Sequence, residues 1–192
     1  MQIPKKYISN QKKNRLIKSA KKLFYENGVS DTTLANIASL AEIPLGNVYY
    51  YFKSKDSIIL SVIEFEKKLI KERLKNISKI RNVKDRLKYF IYIETKGHSS
   101  IVKYGDEVGS LAQALCKKNN AISRSVANLM KDVINWCIEQ FNLLDKGNKS
   151  TRYAIILVAN IQGLNLLNSV FKNYKFSENY SDYLINWIEE II

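Results

Sequence analysis

The sequence predicts an all-α protein, with a compact unit of three short helices at its N-terminus followed by a larger helical domain. Three observations carry that prediction. The 192 residues include only seven Gly and two Pro, and both prolines, Pro4 and Pro44, fall in the first quarter of the chain. Helix breakers are therefore scarce over the rest. Apolar residues recur at i, i+3, i+4 and i+7 in segment after segment, and no period-two alternation rises above that pattern.

The elements follow in order. In 15–27, Leu16, Ala20, Leu23 and Phe24 share one face of a helix that Gly28 should stop. Thr32-Thr33 supplies a hydroxyl cap for a second helix carrying Leu34, Ile37, Ala38 and Ala41. Pro44 suits the first turn of a third helix that runs to about Phe52. Ser54 caps a fourth, with Asp56 favouring its dipole, and 54–80 reads as one long helix. Further helices are expected at 84–96, 109–118, 121–144, 148–172 and 180–192. Residues 98–107 read as irregular, with Gly105 as a break. The change near residue 60, from a basic trihelical unit to long helices, marks the domain boundary, with domains drawn as 1–55 and 56–192 and joined through a continuous helix.

Composition narrows the function. Apolar residues make up 46% and charged residues 26% of the chain, which suits a globular protein rather than a disordered one. No apolar run approaches the ~18 residues that cross a bilayer, and the lysine-rich start lacks the apolar segment of a signal peptide. A cytoplasmic protein with no membrane partner is expected. The net charge is +13. Residues 1–60 hold ten Lys/Arg against four Asp/Glu, so the excess is densest at the N-terminal end and suits a polyanion. The lone histidine, His98, leaves no basis for a multi-histidine metal site and little for acid–base catalysis. No phosphate loop or nucleophile triad is legible, and neither an enzyme nor a cofactor is expected. Cys116 and Cys137 match no zinc spacing and read first as small buried hydrophobes. A thiol-sensing regulator using one of them is the alternative.

Three short helices around one core, the second and third joined by a tight turn, form a helix-turn-helix reader of duplex DNA. In its third helix Val48 and Phe52 share a face and can pack on Phe24, Ile37 and Ala38. Tyr49 and Tyr50 then cannot both turn inward, and an exposed phenol beside a groove can donate to phosphate. Gly46 allows close approach of the backbone, and the helix start favours an anion. Asn47 can pair with a base edge, adenine being its best partner, and Lys55 offers a charge for phosphate. A basic protein binding nucleic acid without sequence preference is the competing reading. It predicts steep salt dependence and no discrimination.

The run Thr32-Thr33-Leu34, Ile37-Ala38, then Ile43-Pro44-Leu45-Gly46-Asn47-Val48-Tyr49-Tyr50-Tyr51-Phe52-Lys53-Ser54-Lys55-Asp56 strongly resembles the TetR family of bacterial repressors. The resemblance implies that Thr33, Tyr49, Tyr50 and Lys55 hold phosphates, and that Leu45, Gly46 and Asn47 sit at the major groove. Two departures stand out: Glu42 replaces a usual turn glycine, and Leu45 replaces a frequent lysine. The likeness weakens after residue 60 but persists in 109–113 and 159–164. It further implies a C-terminal helical domain that encloses a small-molecule effector and pairs its last two helices with those of a second copy. A homodimer through residues of about 150–192, bound to a pseudo-palindromic operator, is the expectation. The residues agree, because Ile155, Val158, Ile161, Leu164, Leu166, Leu167 and Val170 cover more than one face of a helix and need cover on both sides. Gly163 would let two helix backbones close. For the effector, Phe65, Leu69, Phe90, Ile93, Tyr104, Met130, Ile134 and Trp136 are candidate lining, with plain core as the competing role for each. Glu94 and His98 could orient a polar or cationic ligand, or form a partly exposed ion pair.

Overall fold

In the computed structural model the described residues are 5–95, 99–117 and 120–191, and among them ten α-helices and one short 3-10 turn account for the regular structure, with no strand. The helices are α1 (Lys5–Asn27), α2 (Leu34–Leu40), α3 (Leu45–Tyr51), α4 (Lys55–Ile77), α5 (Val83–Thr95), α6 (Ser99–Tyr104), α7 (Glu107–Leu115), α8 (Ala121–Asn142), α9 (Ser150–Phe171) and α10 (Lys175–Ile191). The chain divides into two compact units. Met1–Lys67 with Ser110–Ala127 form the first, and Lys68–Gly109 with Asn128–Ile192 form the second.

The first unit is built on the predicted stripe. Leu16, Ala20, Phe24, Ile37, Ala38 and Val48 are buried together with Phe52, Ile58 and Val62. Gly28 ends α1 at φ +84°, its amide donating to the Phe24 carbonyl at 3.1 Å. Only glycine takes that conformation without steric cost. Thr32 is buried in the following loop, its hydroxyl donating to the carbonyls of Gly28 at 2.8 Å and Leu23 at 3.2 Å.

The turn between α2 and α3 is a Schellman motif in full. The Ile43 amide donates to Ala38 O and the Glu42 amide to Ser39 O, both at 3.0 Å. This motif holds its turn residue in the left-handed region, and Glu42 sits there at φ +50°. The departure read in the sequence is therefore a strained position. Arg15 partly offsets the strain by pairing with Glu42 at 3.1 Å and donating to the Ala41 carbonyl. Glu42→Gly is expected to raise the stability of this unit by about 0.5–1 kcal/mol, since a Cβ at left-handed φ costs about 1–2 kcal/mol and glycine's larger unfolded-state entropy returns part of it. A thermal melt checks this, and an unchanged or lower midpoint would show that the Arg15 contacts outweigh the strain.

Element boundaries differ from the expectation for local reasons. Helix α1 starts at Lys5, ten residues before its expected start at residue 15. Pro44 stands at the N-cap of α3 rather than inside its first turn, and Phe52 has left helical geometry and caps the other end. Helix α4 stops at Ile77, its end tightening through Lys79 N→Asn76 O and Ile80 N→Ile77 O bonds. Residues 99–104, read as irregular, form α6, a helix with no buried residue and so no stripe to read. Gly105 breaks the chain at φ +84° as expected, and α10 begins five residues before its predicted start.

In the second unit α9 packs against α5, α6 and α10, and α10 lies along α5. Phe90, Ile91, Leu129, Phe141, Leu157, Ile161, Leu184 and Ile188 form its core. Phe141, Tyr153 and Trp187 meet ring to ring with centroids 5.7 to 6.4 Å apart. At the surface, Lys84 and Lys88 of α5 both reach Glu189 of α10. Contrary to the expectation from apolar runs, Gly147–Phe171 is long and apolar enough to cross a membrane by length and composition. Its polar side chains argue for a role as a packed helix of a folded domain. Asn165 and Asn168 are buried, and Asn165 donates to the Glu94 carbonyl at 3.2 Å.

Candidate nucleic-acid interface

Helix α3 is held by one buried residue and otherwise faces outward. Val48 is completely buried, while Leu45, Gly46, Asn47, Tyr49 and Tyr50 are all exposed. Tyr49 is 50% and Tyr50 75% accessible, so both phenols, not merely one, are available. Tyr50 rests edge-on against Tyr51 at 5.1 Å between centroids. A Cβ at Gly46 would meet nothing within 4 Å, and its backbone is not left-handed. The chain's own fold thus gives no reason for glycine there.

Thr33 caps α2 with a reciprocal box. Its hydroxyl oxygen accepts from the Asn36 backbone amide at 3.1 Å, and the side-chain Oδ1 of Asn36 accepts from the Thr33 backbone amide at 2.9 Å. This satisfies two orphan donors of the helix start. Ser54 and Ser57 form the same arrangement at the start of α4, at 3.2 and 3.3 Å. Lys55 is half-buried, and its ammonium donates to the Ser30 carbonyl at 3.2 Å. Its charge therefore also ties α4 to the loop before α2. Lys13 lies over the Phe52 ring at 5.7 Å, whereas Lys18, Lys22 and Lys53 are exposed. Deeper in this unit Lys21 pairs with the buried Glu66 at 2.9 Å, joining α1 to α4.

The effector candidates differ in how deeply they are buried. Phe65, Tyr104, Met130 and Ile134 are half-buried. Phe90 is 1% accessible and packs on Trp136 at 5.2 Å, and Trp136 donates its indole N–H to the Ser78 hydroxyl at 2.9 Å. Both aromatics are core. Leu69 and Ile93 do share a groove of about 570 Å³ between α4 and α5, whose wall also includes the polar side chains of Arg73, Asn76 and Tyr89. Those three went unread because a polar residue at helical spacing looks like a solvated face. His98 lies outside the described residues.

Glu94 is 9% accessible, and its carboxylate pairs with Arg73 at 3.0 Å. Burial raises its pKa to about 7 despite the Arg73 guanidinium, and the Asp106 carboxylate adds to the rise. Desolvation thus outweighs the one nearby positive charge. Of the cysteines, Cys137 is buried, with burial pushing its thiol well above the ordinary range. Such a thiol is a poor nucleophile. Cys116 is exposed, its thiol directed at the Ser123 carbonyl at 3.7 Å.

Comparison with known proteins agrees with this geometry. The family described as bacterial regulatory proteins, tetR family, matches residues 16–62. The chain is 24% identical over 192 residues to the HTH-type transcriptional regulator QacR of Staphylococcus aureus, covering 93% of this chain and 98% of that protein. It is 27% identical to an HTH-type transcriptional regulator from the lacX 3′ region of Lactococcus lactis, covering 96% and 97%. The crystal structure of a TetR transcriptional regulator from Chloroflexus aurantiacus superposes with a TM-score of 0.84 at 15% identity, over 95% of this chain and 96% of that one. The helix-turn-helix region, residues 16–62, is thus that of the tetR family of bacterial regulatory proteins, and the chain is similar to HTH-type transcriptional regulators and shares the fold of TetR regulators along nearly its whole length.

Proposed function

We propose that the protein is a one-component repressor that binds a pseudo-palindromic operator as a homodimer and is controlled by a small molecule held in its C-terminal helices. The observation that carries this reading is the outward face of α3, where Leu45, Gly46, Asn47, Tyr49 and Tyr50 stand exposed around one buried anchor, Val48. In this reading Leu45, Gly46 and Asn47 meet the major groove, while Thr33, Tyr49, Tyr50 and Lys55 hold phosphates. The reader is residues 1–55 and the effector and dimer domain residues 56–192. The cytoplasm is its place of action, with no membrane partner.

The dimer reading has its own support. Along α9 and α10, Ile155, Leu166, Leu167, Val170, Phe171 and Tyr183 are all more than 40% exposed. So large a set of exposed apolar side chains marks an interaction surface. A Cβ on Gly163 would meet nothing within 4 Å, so the backbone there is open to a partner. Effector control is supported by the groove at Leu69 and Ile93 and by the buried Glu94. A ligand favouring one arrangement of the readers would change operator affinity by roughly 5–150-fold. Helix α4, unbroken from Lys55 to Ile77, is the element to transmit it.

The test is fluorescence anisotropy on DNA from upstream of the protein's own gene, against scrambled DNA, at two salt concentrations. Discriminating binding is expected, weakened about tenfold or more by Asn47→Ala, as loss of a bidentate base contact costs about 1–3 kcal/mol. Equal binding to both DNAs that vanishes with salt would favour charge-driven, non-specific association instead. The thiol-sensor reading would rest on Cys116, the exposed cysteine.

A further inference from the structure

We infer that Leu45 reads the C5 methyl group of a thymine, and that each half-site of the operator carries that thymine where the start of α3 meets the major groove.

Leu45 is the first residue of α3 and remains 41% exposed, whereas Val48, one turn on, is completely buried. The core therefore does not account for a leucine at this place. Leu40 of α2 and Leu60 of α4 are exposed too, and α9 and α10 carry a set of their own, but Leu45 is the exposed leucine of α3, where its neighbours in sequence are exposed polar and aromatic residues. Tyr49 is four residues on, Asn47 is exposed two residues on, and Gly46 between them has no side chain. Leu45 and Asn47 are thus the two side chains free to meet base edges at this end of the helix.

A leucine neither donates nor accepts a hydrogen bond, so it can carry sequence information only through apolar contact. On the major-groove edges of the four base pairs the one apolar group is the thymine methyl. Cytosine, the other pyrimidine, presents an N4 donor in the same region, and an isobutyl group would strip that donor of water without replacing the bond. The same side chain therefore attracts thymine and rejects cytosine. Asn47, with its amide, is matched to adenine. Together they describe a half-site that is A·T-rich where α3 begins.

The inference rests on α3 entering the major groove, and the experiment separates the two claims. An operator is first obtained by random-site selection with the purified full-length protein. Each thymine is then replaced, in both half-sites at once, by deoxyuridine, which removes only the methyl. For the wild-type protein one thymine position should weaken binding by about fourfold for each methyl lost, the effect of exposing one methyl-sized group. In Leu45→Ala, with folding checked by circular dichroism, the same replacement should have no effect. Placing 5-methylcytosine rather than cytosine at that position should restore part of the affinity for wild type and none for Leu45→Ala. Deoxyuridine that is neutral at every thymine, or an effect that survives in Leu45→Ala, overturns the inference while operator binding itself stands. Operator binding indifferent to Asn47→Ala and Tyr50→Ala would instead overturn the placement of α3.

Discussion

Phe90→Ala should destabilise the second unit by about 3–5 kcal/mol, the usual cost of deleting a fully buried phenyl ring and leaving a cavity. Phe90 is 1% accessible and lies with its ring centroid 5.2 Å from that of Trp136, so the ring–ring contact is lost with the buried area. Denaturant unfolding followed by Trp136 and Trp187 emission measures it. The two tryptophans are the only ones in the chain, and both belong to the second unit. A ring lining a ligand cavity would behave differently, since its removal would cost little without ligand and reduce ligand binding instead. A loss below 1 kcal/mol would restore Phe90 to the effector site.

The second large effect concerns Glu94. Its folded-state pKa is raised from 4.5 to about 7, so between those values the folded protein keeps a proton that the unfolded chain has released. The folded state then binds more protons than the unfolded state, and stability falls as pH rises through that window. At 1.36 kcal/mol per unit, the loss is about 3 kcal/mol, absent below pH 4.5 and complete above pH 7. Glu94→Gln removes the titration while keeping the side-chain shape. The variant should match wild type near pH 4.5 and exceed it by about 2–3 kcal/mol at pH 8. Chemical denaturation at a series of pH values gives the difference directly. If the variant were less stable at pH 8, the Arg73 ion pair would be outweighing desolvation at this site. Partly buried pairs do fall on either side of that balance.

Much of the reading unit was legible because its signals are local. Gly28, Thr33, Ser54 and the 16/20/23/24 stripe each act within one or two turns of the backbone, and each terminates, caps or faces a helix as its chemistry requires. Glu42 is the sharpest case, a residue out of keeping with its turn that the structure holds at positive φ. The region proposed for the effector was less legible. Phe90, Leu69 and Ile93 look alike in sequence, as apolar residues at helical spacing. Phe90 is core and the other two border a groove, and that difference depends on which helices lie opposite. Arg73 offered no signal, because its partner is twenty-one residues away on another helix. Helix α6 was missed for the converse reason, since it buries nothing.

By itself the sequence determined the helical class and the three-helix unit with its caps and turn. These follow from backbone propensity and from short-range hydrogen bonds, which act between neighbours in the chain. Tertiary structure alone decided that Glu94 is buried against Arg73, that Lys55 is tied to the Ser30 carbonyl, and that the wide apolar arc of α9 is half covered and half exposed. Burial and charge pairing depend on residues brought together from distant parts of the chain, and desolvation has no value until that packing exists.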